Sequence, residues 1–257
     1  VTRRVLASTT SHKREPLLET LDVFSRLGLR DLDLNLHHFI EEGVAVDAAA
    51  AAVDARAQRV WVVSGGWCDF FHEPPHIAGT FESVARQVDM AQRLGARVLR
   101  LFFGRLPRAS YSPALEERIT DNLRRLSDRH ETTTFVFENH DGASLVPEIC
   151  RAVLQRVDRR NIRMNFDPVN FARAGVDPET ARAAVQPFVA HVHLKGLDRG
   201  EYCEFGSGDL DLTPVLQRLV QRGYAGDFTV EYEGRFDGTL RLFRSVERAR
   251  AVAASLS

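Results

Sequence analysis

The sequence predicts a single-domain α/β protein, a (β/α)8 TIM barrel, on three observations. Short β-rich runs alternate with longer amphipathic segments eight times along the chain, the pattern of a parallel sheet covered by helices. The length of 257 residues suits a barrel of this kind, which typically needs about 250. No glycine-rich phosphate loop follows an early strand, as the doubly wound open sheet of similar element order usually has.

The elements follow in order. Arg4–Ser8 reads as the first strand, and Glu15–Leu27 as a helix that stops at Gly28, where a left-handed cap favours glycine. Asp31–Leu36 and Val46–Arg56 form the second pair. The third strand, Arg59–Val63, runs into Ser64–Ala78 (SGGWCDFFHEPPHIA). That aromatic loop reads as either a packed cluster on the rim or a wall over a site. Its helix, Thr80–Leu94, ends at Gly95. Arg97–Phe102 precedes Ser112–Arg129, where Ser112 caps a helix with Pro113 at its first position. Thr133–Glu138 pairs with Ser144–Val157, and Asn161–Phe166 with Asp177–Val185, opened again by an Asp177-Pro178 cap. Ala190–Lys195 with Leu212–Arg222, then Phe228–Tyr232 with Thr239–Ala254, complete the eight. Each helix repeats apolar residues at i, i+3 and i+4 with charges opposite. No linker or low-complexity tract interrupts the pattern, so residues 1–257 are expected to form one domain.

Composition narrows the classes. Hydrophobic residues make up 44% and charged residues 27%, an ordinary soluble globular balance. Lys plus Arg (34) nearly cancel Asp plus Glu (35), which gives no electrostatic reason to expect nucleic acid or an anionic membrane as partner. No apolar run approaches the roughly 18 residues of a membrane span. The opening stretch VTRRVLASTT has too short an apolar segment for a signal peptide and reads better as a strand. Cys68, Cys150 and Cys203 are odd in number and lack CxxC spacing. They argue against a disulfide framework or a cysteine zinc site and fit a reducing, cytoplasmic location.

Four ionisable residues fall at the C-terminal ends of the last four expected strands: Glu138, Asp167, His193 and Glu231. Neighbouring parallel strands bring such side chains to one mouth. On the seventh strand alternation puts His191, His193 and Lys195 on a shared face, and on the eighth it does the same for Thr229, Glu231 and Glu233. Three carboxylates in a partly dry mouth repel, and each unpaired ion costs several kcal/mol. One divalent metal ion with three oxygen ligands and one imidazole resolves the conflict. The oxygen-rich set suits Mn, Mg or Co, with Zn an alternative. Glu231 is the first choice for the fourth ligand, with Glu233 open beside it.

Around these lie further candidates. Trp67 belongs to the aromatic wall. His140 and Asn139 follow Glu138 directly and read as contacts to the site or substrate, or as a structural turn. Lys195 and Arg199 either hold substrate oxygens or a phosphate, or are rim charges paired with Asp198 or Glu201. Arg100 reads as a buried partner for a carboxylate or as the floor of the site. Asp33, Asn35 and His37 share the face of the second strand that could reach the pocket.

The runs FVFENHDG, NFDPVNF, HVHLKG, FGSGDLD and FTVEYEG resemble the xylose isomerase-like barrel superfamily of sugar-phosphate isomerases and epimerases. That superfamily also takes in inosose dehydratases, dehydroshikimate dehydratases and the endonuclease IV type of DNA-repair enzyme. The resemblance implies metal ligands at Glu138, Asp167, His193 and Glu231, with the two glutamates as the acid/base pair. It aligns Arg199 with a substrate-binding arginine of ketose epimerases. Asn170 stands where many members have a histidine that binds substrate or a second metal, a departure that weakens the nuclease reading most.

The implied activity is isomerisation or epimerisation of a small-molecule sugar or polyol, by proton abstraction next to a carbonyl through a metal-stabilised enediolate. The alternative is a dehydratase (lyase) acting on a cyclic keto-polyol such as inosose or dehydroshikimate. The remote alternative is an endonuclease IV-like DNA-repair enzyme, for which the near-neutral charge of this chain offers little basic surface to hold phosphates. Members often form dimers or tetramers, which leaves a homo-oligomer open.

Overall fold

Eight parallel strands close into a barrel in this computed structural model, which describes residues 3–235 and 238–256, with only the backbone described for 40–42. Val1 and Thr2, at the head of the expected first strand, lie outside the described residues. In chain order the strands are β1 (Val5–Ser8), β2 (Asp31–Asn35), β3 (Arg59–Ser64), β4 (Val98–Phe102), β5 (Thr134–Glu138), β6 (Ile162–Phe166) and β7 (Val189–Leu194). A short antiparallel hairpin, β8 (Gly196–Asp198) and β9 (Glu201–Cys203), follows before β10 (Phe228–Val230). β10 pairs with β7 on one side and β1 on the other, so the sheet has no edge.

The helices are α1 (Leu17–Arg26), α2 (His37–Glu42), α3 (Val46–Ala55), α4 (His76–Arg93), α5 (Pro113–Arg129), α6 (Pro147–Val157), α7 (Pro168–Arg173), α8 (Pro178–Val185), α9 (Thr213–Gln221) and α10 (Gly238–Ser255). Ser112 and Asp177 cap α5 and α8, accepting from Leu115 N–H and Thr180 N–H.

Strand alternation sorts the side chains. Leu32, Leu34, Leu99, Leu101, Phe135, Phe137, Met164, Phe166, Val192 and Leu194 join the apolar core with the helices. The intervening positions, Asp33, Arg100, Glu138, Asn165, His191 and His193, are as deeply buried but polar. Burying so many polar groups is tolerable only if they pair with one another or with a ligand. This inner layer carries the candidate site residues Glu138 and His193.

The elements depart from the sequence-based expectation in four places. α4 begins at His76 instead of Thr80, because Ile77 and Phe81, one turn apart, are both buried in the core and packing overrides Gly79. A 3₁₀ turn (Gly142–Leu145) precedes α6, since Val146 is extended before Pro147. The short α2 and α7 and the β8–β9 hairpin lie in stretches that lacked a periodic pattern. β10 stops at Val230, which leaves Glu231 just beyond it, with its N–H donating to Leu194 O at 2.9 Å.

Candidate active site

Asp167 shows how the local sequence builds the site. It is the N-cap of α7, with Pro168 at the first helical position, and its Oδ1 accepts from Val169 N–H and Asn170 N–H at 2.9 Å each. One oxygen closes the helix; the other, Oδ2, is left for the mouth. Asn139 ties this turn to β5: its amide donates to Asp167 O (2.8 Å) and accepts from Asp167 N–H (2.9 Å). Glu138 is thereby set beside Asp167.

Ligand-type atoms of Glu138, Asp167, His193 and Glu231 all lie within 4.8 Å of one another, and all four residues are buried. His193 Nδ1 stands 3.5 Å from Glu138 Oε2 and 3.5 Å from Glu231 Oε2. Its Nε2 is 3.4 Å from Asp33 Oδ2. Arg100 Nε is 3.2 Å from Glu138 Oε2. Lys195 Nζ reaches Asp167 Oδ2 (3.0 Å), Glu231 Oε2 (3.0 Å) and Glu233 Oε2 (2.6 Å). Five carboxylates thus face two fixed cations.

The donor set fits a divalent cation on this structure's own terms. His193 Nδ1 is fully buried and makes no hydrogen bond, and the buried Glu138 Oε2 and Asp167 Oδ2 meet Arg100 and Lys195 only as ion pairs without hydrogen-bond geometry. Such groups are costly unless something takes up their lone pairs. Three carboxylates and one imidazole could hold such an ion, and they leave an excess of negative charge for it to offset.

Electrostatics separates the two glutamates. Burial pushes the Glu138 carboxyl up, and His193 and Arg100 only partly oppose it. Burial pushes Glu231 up as well, but Lys195 and His193 together outweigh it and hold that carboxyl well below the usual range. His191, fully buried and beside His193, is pushed down to about 3 and donates to or accepts from Thr229 Oγ1 at 2.7 Å.

Access is one-sided. A cavity of about 490 Å³ opens over the site, lined by Thr10, Lys13, Asn35, His37, Trp67, Phe102, His140, Glu138, Glu231 and Glu233 among others. Its lining comes from the β1–β5 side and the β10 end. On the β6–β7 side, Tyr202 of the hairpin covers Lys195, with its ring centroid 4.9 Å from Nζ.

The residues singled out in the sequence fall into three groups. Glu138, Asp167, His193, Glu231 and Lys195 converge. Trp67 and His140 line the cavity, Trp67 stacked on Phe102 at 4.1 Å and edge-on to His140 at 5.2 Å. Phe70, from the same loop, is buried in the core against Phe137 instead.

Asn170 and Arg199 are not among the residues that line this cavity. Asn170 Nδ2 donates to Glu138 Oε1 at 3.0 Å, and its Oδ1 accepts from Tyr202 O–H at 2.9 Å, so it braces Glu138. Arg199, at the hairpin turn, is 87% exposed and pairs with Asp198. Thr10, Lys13 and Tyr202 were not anticipated. The polar run Thr9–Lys13 directly after a strand was the available sign for the first two, and Tyr202 had none.

The chain belongs to the xylose isomerase-like TIM barrel family, whose profile matches residues 25–254. Among its relatives, a Mus musculus protein provisionally named a hydroxypyruvate isomerase is 27% identical over 183 residues, 64% of each chain. An inosose dehydratase of Lacticaseibacillus casei is 26% identical over 140 residues, 46% of this chain and 47% of that one. The chain therefore spans about half to two thirds of these relatives' length. The solved structure of an L-ribulose 3-epimerase superposes with a TM-score of 0.81 at 15% identity, covering 100% of this chain and 96% of the other. The sequence relatives are thus named as an isomerase and a dehydratase, and the fold neighbour as an epimerase. Among the described residues, no helix is long and apolar enough to cross a membrane.

Proposed function

We propose that the protein is a divalent-metal-dependent isomerase or epimerase of a small sugar or polyol, working by proton abstraction next to a carbonyl. One observation carries this reading: two buried glutamates line the same cavity and flank the same imidazole, and their surroundings push the two carboxyls in opposite directions. Carboxyls whose environments push them apart are suited to acid and base roles.

Glu231, held ionised, removes the proton from the carbon beside the carbonyl, and the C–H electron pair becomes the double bond of an enediolate. Glu138, whose carboxyl burial pushes upward, returns a proton at the opposite face, which inverts that centre. A divalent cation held by Glu138, Asp167, His193 and Glu231 would supply Lewis-acid polarisation of the carbonyl, worth several kcal/mol. The oxygen-rich donor set favours Mn, Mg or Co over Zn. Trp67 and Phe102 give the substrate an apolar wall. His140, whose buried Nδ1 makes no hydrogen bond, is placed to meet a substrate hydroxyl. Lys195 keeps Glu231 ionised.

Dehydration is the second reading, favoured by the inosose dehydratase relative. There Glu138 would act as the acid that assists departure of a hydroxyl. A panel of ketoses and inososes incubated with metal-loaded protein in deuterated water separates the two. Deuterium at the epimerised carbon without enone absorbance supports the epimerase. Growth of that absorbance transfers the assignment to the lyase, and neither outcome on any substrate removes both.

A further inference from the structure

We propose that Asp33 is a positioning residue for this site: its carboxylate accepts a hydrogen bond from His193 Nε2–H, which turns the Nδ1 lone pair toward Glu138, Glu231 and the cation. The inference rests on the cation reading above and names the group that makes the imidazole competent for it.

The geometry gives the imidazole two different sides. Nδ1 faces two glutamates at 3.5 Å each, while Nε2 faces Asp33 Oδ2 at 3.4 Å. Both ring nitrogens are buried without a formed hydrogen bond, and so is Asp33 Oδ2. A neutral imidazole has one N–H and one lone pair, and a carboxylate can only accept. An acceptor opposite Nε2 therefore selects the proton there and leaves Nδ1 free to ligate.

Asp33 is itself held in place. Ser64 Oγ donates to its Oδ1 at 2.7 Å, Arg100 Nε donates to Ser64 Oγ at 3.2 Å, and the same Nε lies 3.2 Å from Glu138 Oε2. A closed chain of contacts thus runs from His193 through Asp33, Ser64 and Arg100 to Glu138, through the interior of the barrel. Asp33, His191 and His193 also form a three-residue cluster with ligand-type atoms. On this reading it is not a second ion site, because the Nε2 proton occupies the direction in which His193 would have to ligate.

The test is zinc titration calorimetry of wild type and Asp33→Asn, with nitrogen NMR of the His193 ring in the zinc-loaded protein. We expect Asp33→Asn to bind zinc about 10–100-fold more weakly, and the wild-type ring to carry its proton on Nε2 with Nδ1 ligated. Unchanged affinity in the variant, or a wild-type ring protonated on Nδ1, overturns the role of Asp33 and leaves the cation site standing. Wild-type protein that binds no zinc, magnesium or manganese overturns both. If Asp33→Asn does not fold, the wild-type ring spectrum decides alone.

Discussion

Glu138 and Glu231 approach one imidazole nitrogen at the same 3.5 Å, yet different cations stand behind them: Arg100 at Glu138, Lys195 at Glu231. If the pair divides the work of acid and base, Glu138→Gln and Glu231→Gln should each slow exchange of the substrate's α-proton with solvent by about 10²–10⁴-fold. Proton NMR in deuterated water reads this directly, and a loss below tenfold in either variant would contradict the assignment. His191 offers a stability test with a defined sign. Its folded value is pushed down to about 3 from 6.5, so between those values the unfolded chain binds a proton that the folded chain refuses. Its stabilising effect is complete above pH 6.5 and falls as pH drops, by about 1.4 kcal/mol per unit. Denaturant midpoints of His191→Gln should be less sensitive to acid across that window than those of wild type. Much of this residue-level picture was readable in sequence, because strand ends and period-two alternation bring Glu138, Asp167, His193 and Glu231 to one mouth. The bracing of Glu138 by Asn170 was not. It depends on Tyr202, from a segment with no periodic pattern.

That segment, the β8–β9 hairpin, is the least expected element and among the most consequential. Leu197 bridges to Gly208, and a Cβ added at Gly208 would come within 2.1 Å of Leu197 O on a backbone with φ of +85°. Gly208→Ala should therefore cost about 1–3 kcal/mol, measured by chemical denaturation, and should loosen Tyr202. A fall in catalytic rate beyond that of an equally destabilised surface variant would tie the hairpin to Glu138. The eight strand–helix units were legible because each buries a continuous apolar face, and the caps at Ser112 and Asp177 marked two starts without ambiguity. Boundaries failed where tertiary contact outvoted local preference. Gly79 suggested a later start for α4, but burial of Ile77 and Phe81 extends that helix to His76. β10 is short because the chain beyond Val230 serves the mouth instead of the ladder.

For the molecule as a whole, the charge layout predicts how it responds to metal. Among the described residues, Asp33, Glu138, Asp167, Glu231 and Glu233 are countered by Arg100 and Lys195, with the His193 imidazole between them. A bound divalent ion at 100 times its Kd should add about 2.7 kcal/mol of stability, and chelation should remove it, read as a drop in Tm. Lys195→Met should lower the Tm of chelated protein more than that of loaded protein, because the ion can replace the lost ammonium at Asp167 and Glu231 while the empty cage cannot. Equal shifts in both would mean that Lys195 does not share their carboxylates with the ion. The closed sheet has a further consequence in time. Val5 pairs with Phe228, so the seam that completes the ring joins strands far apart in sequence, and no growing chain on the ribosome can zip it until β10 has emerged. Until then β1 presents an unsatisfied margin to solvent or to chaperones, and the mouth, to which Glu231 arrives last, can assemble only after that final stitch.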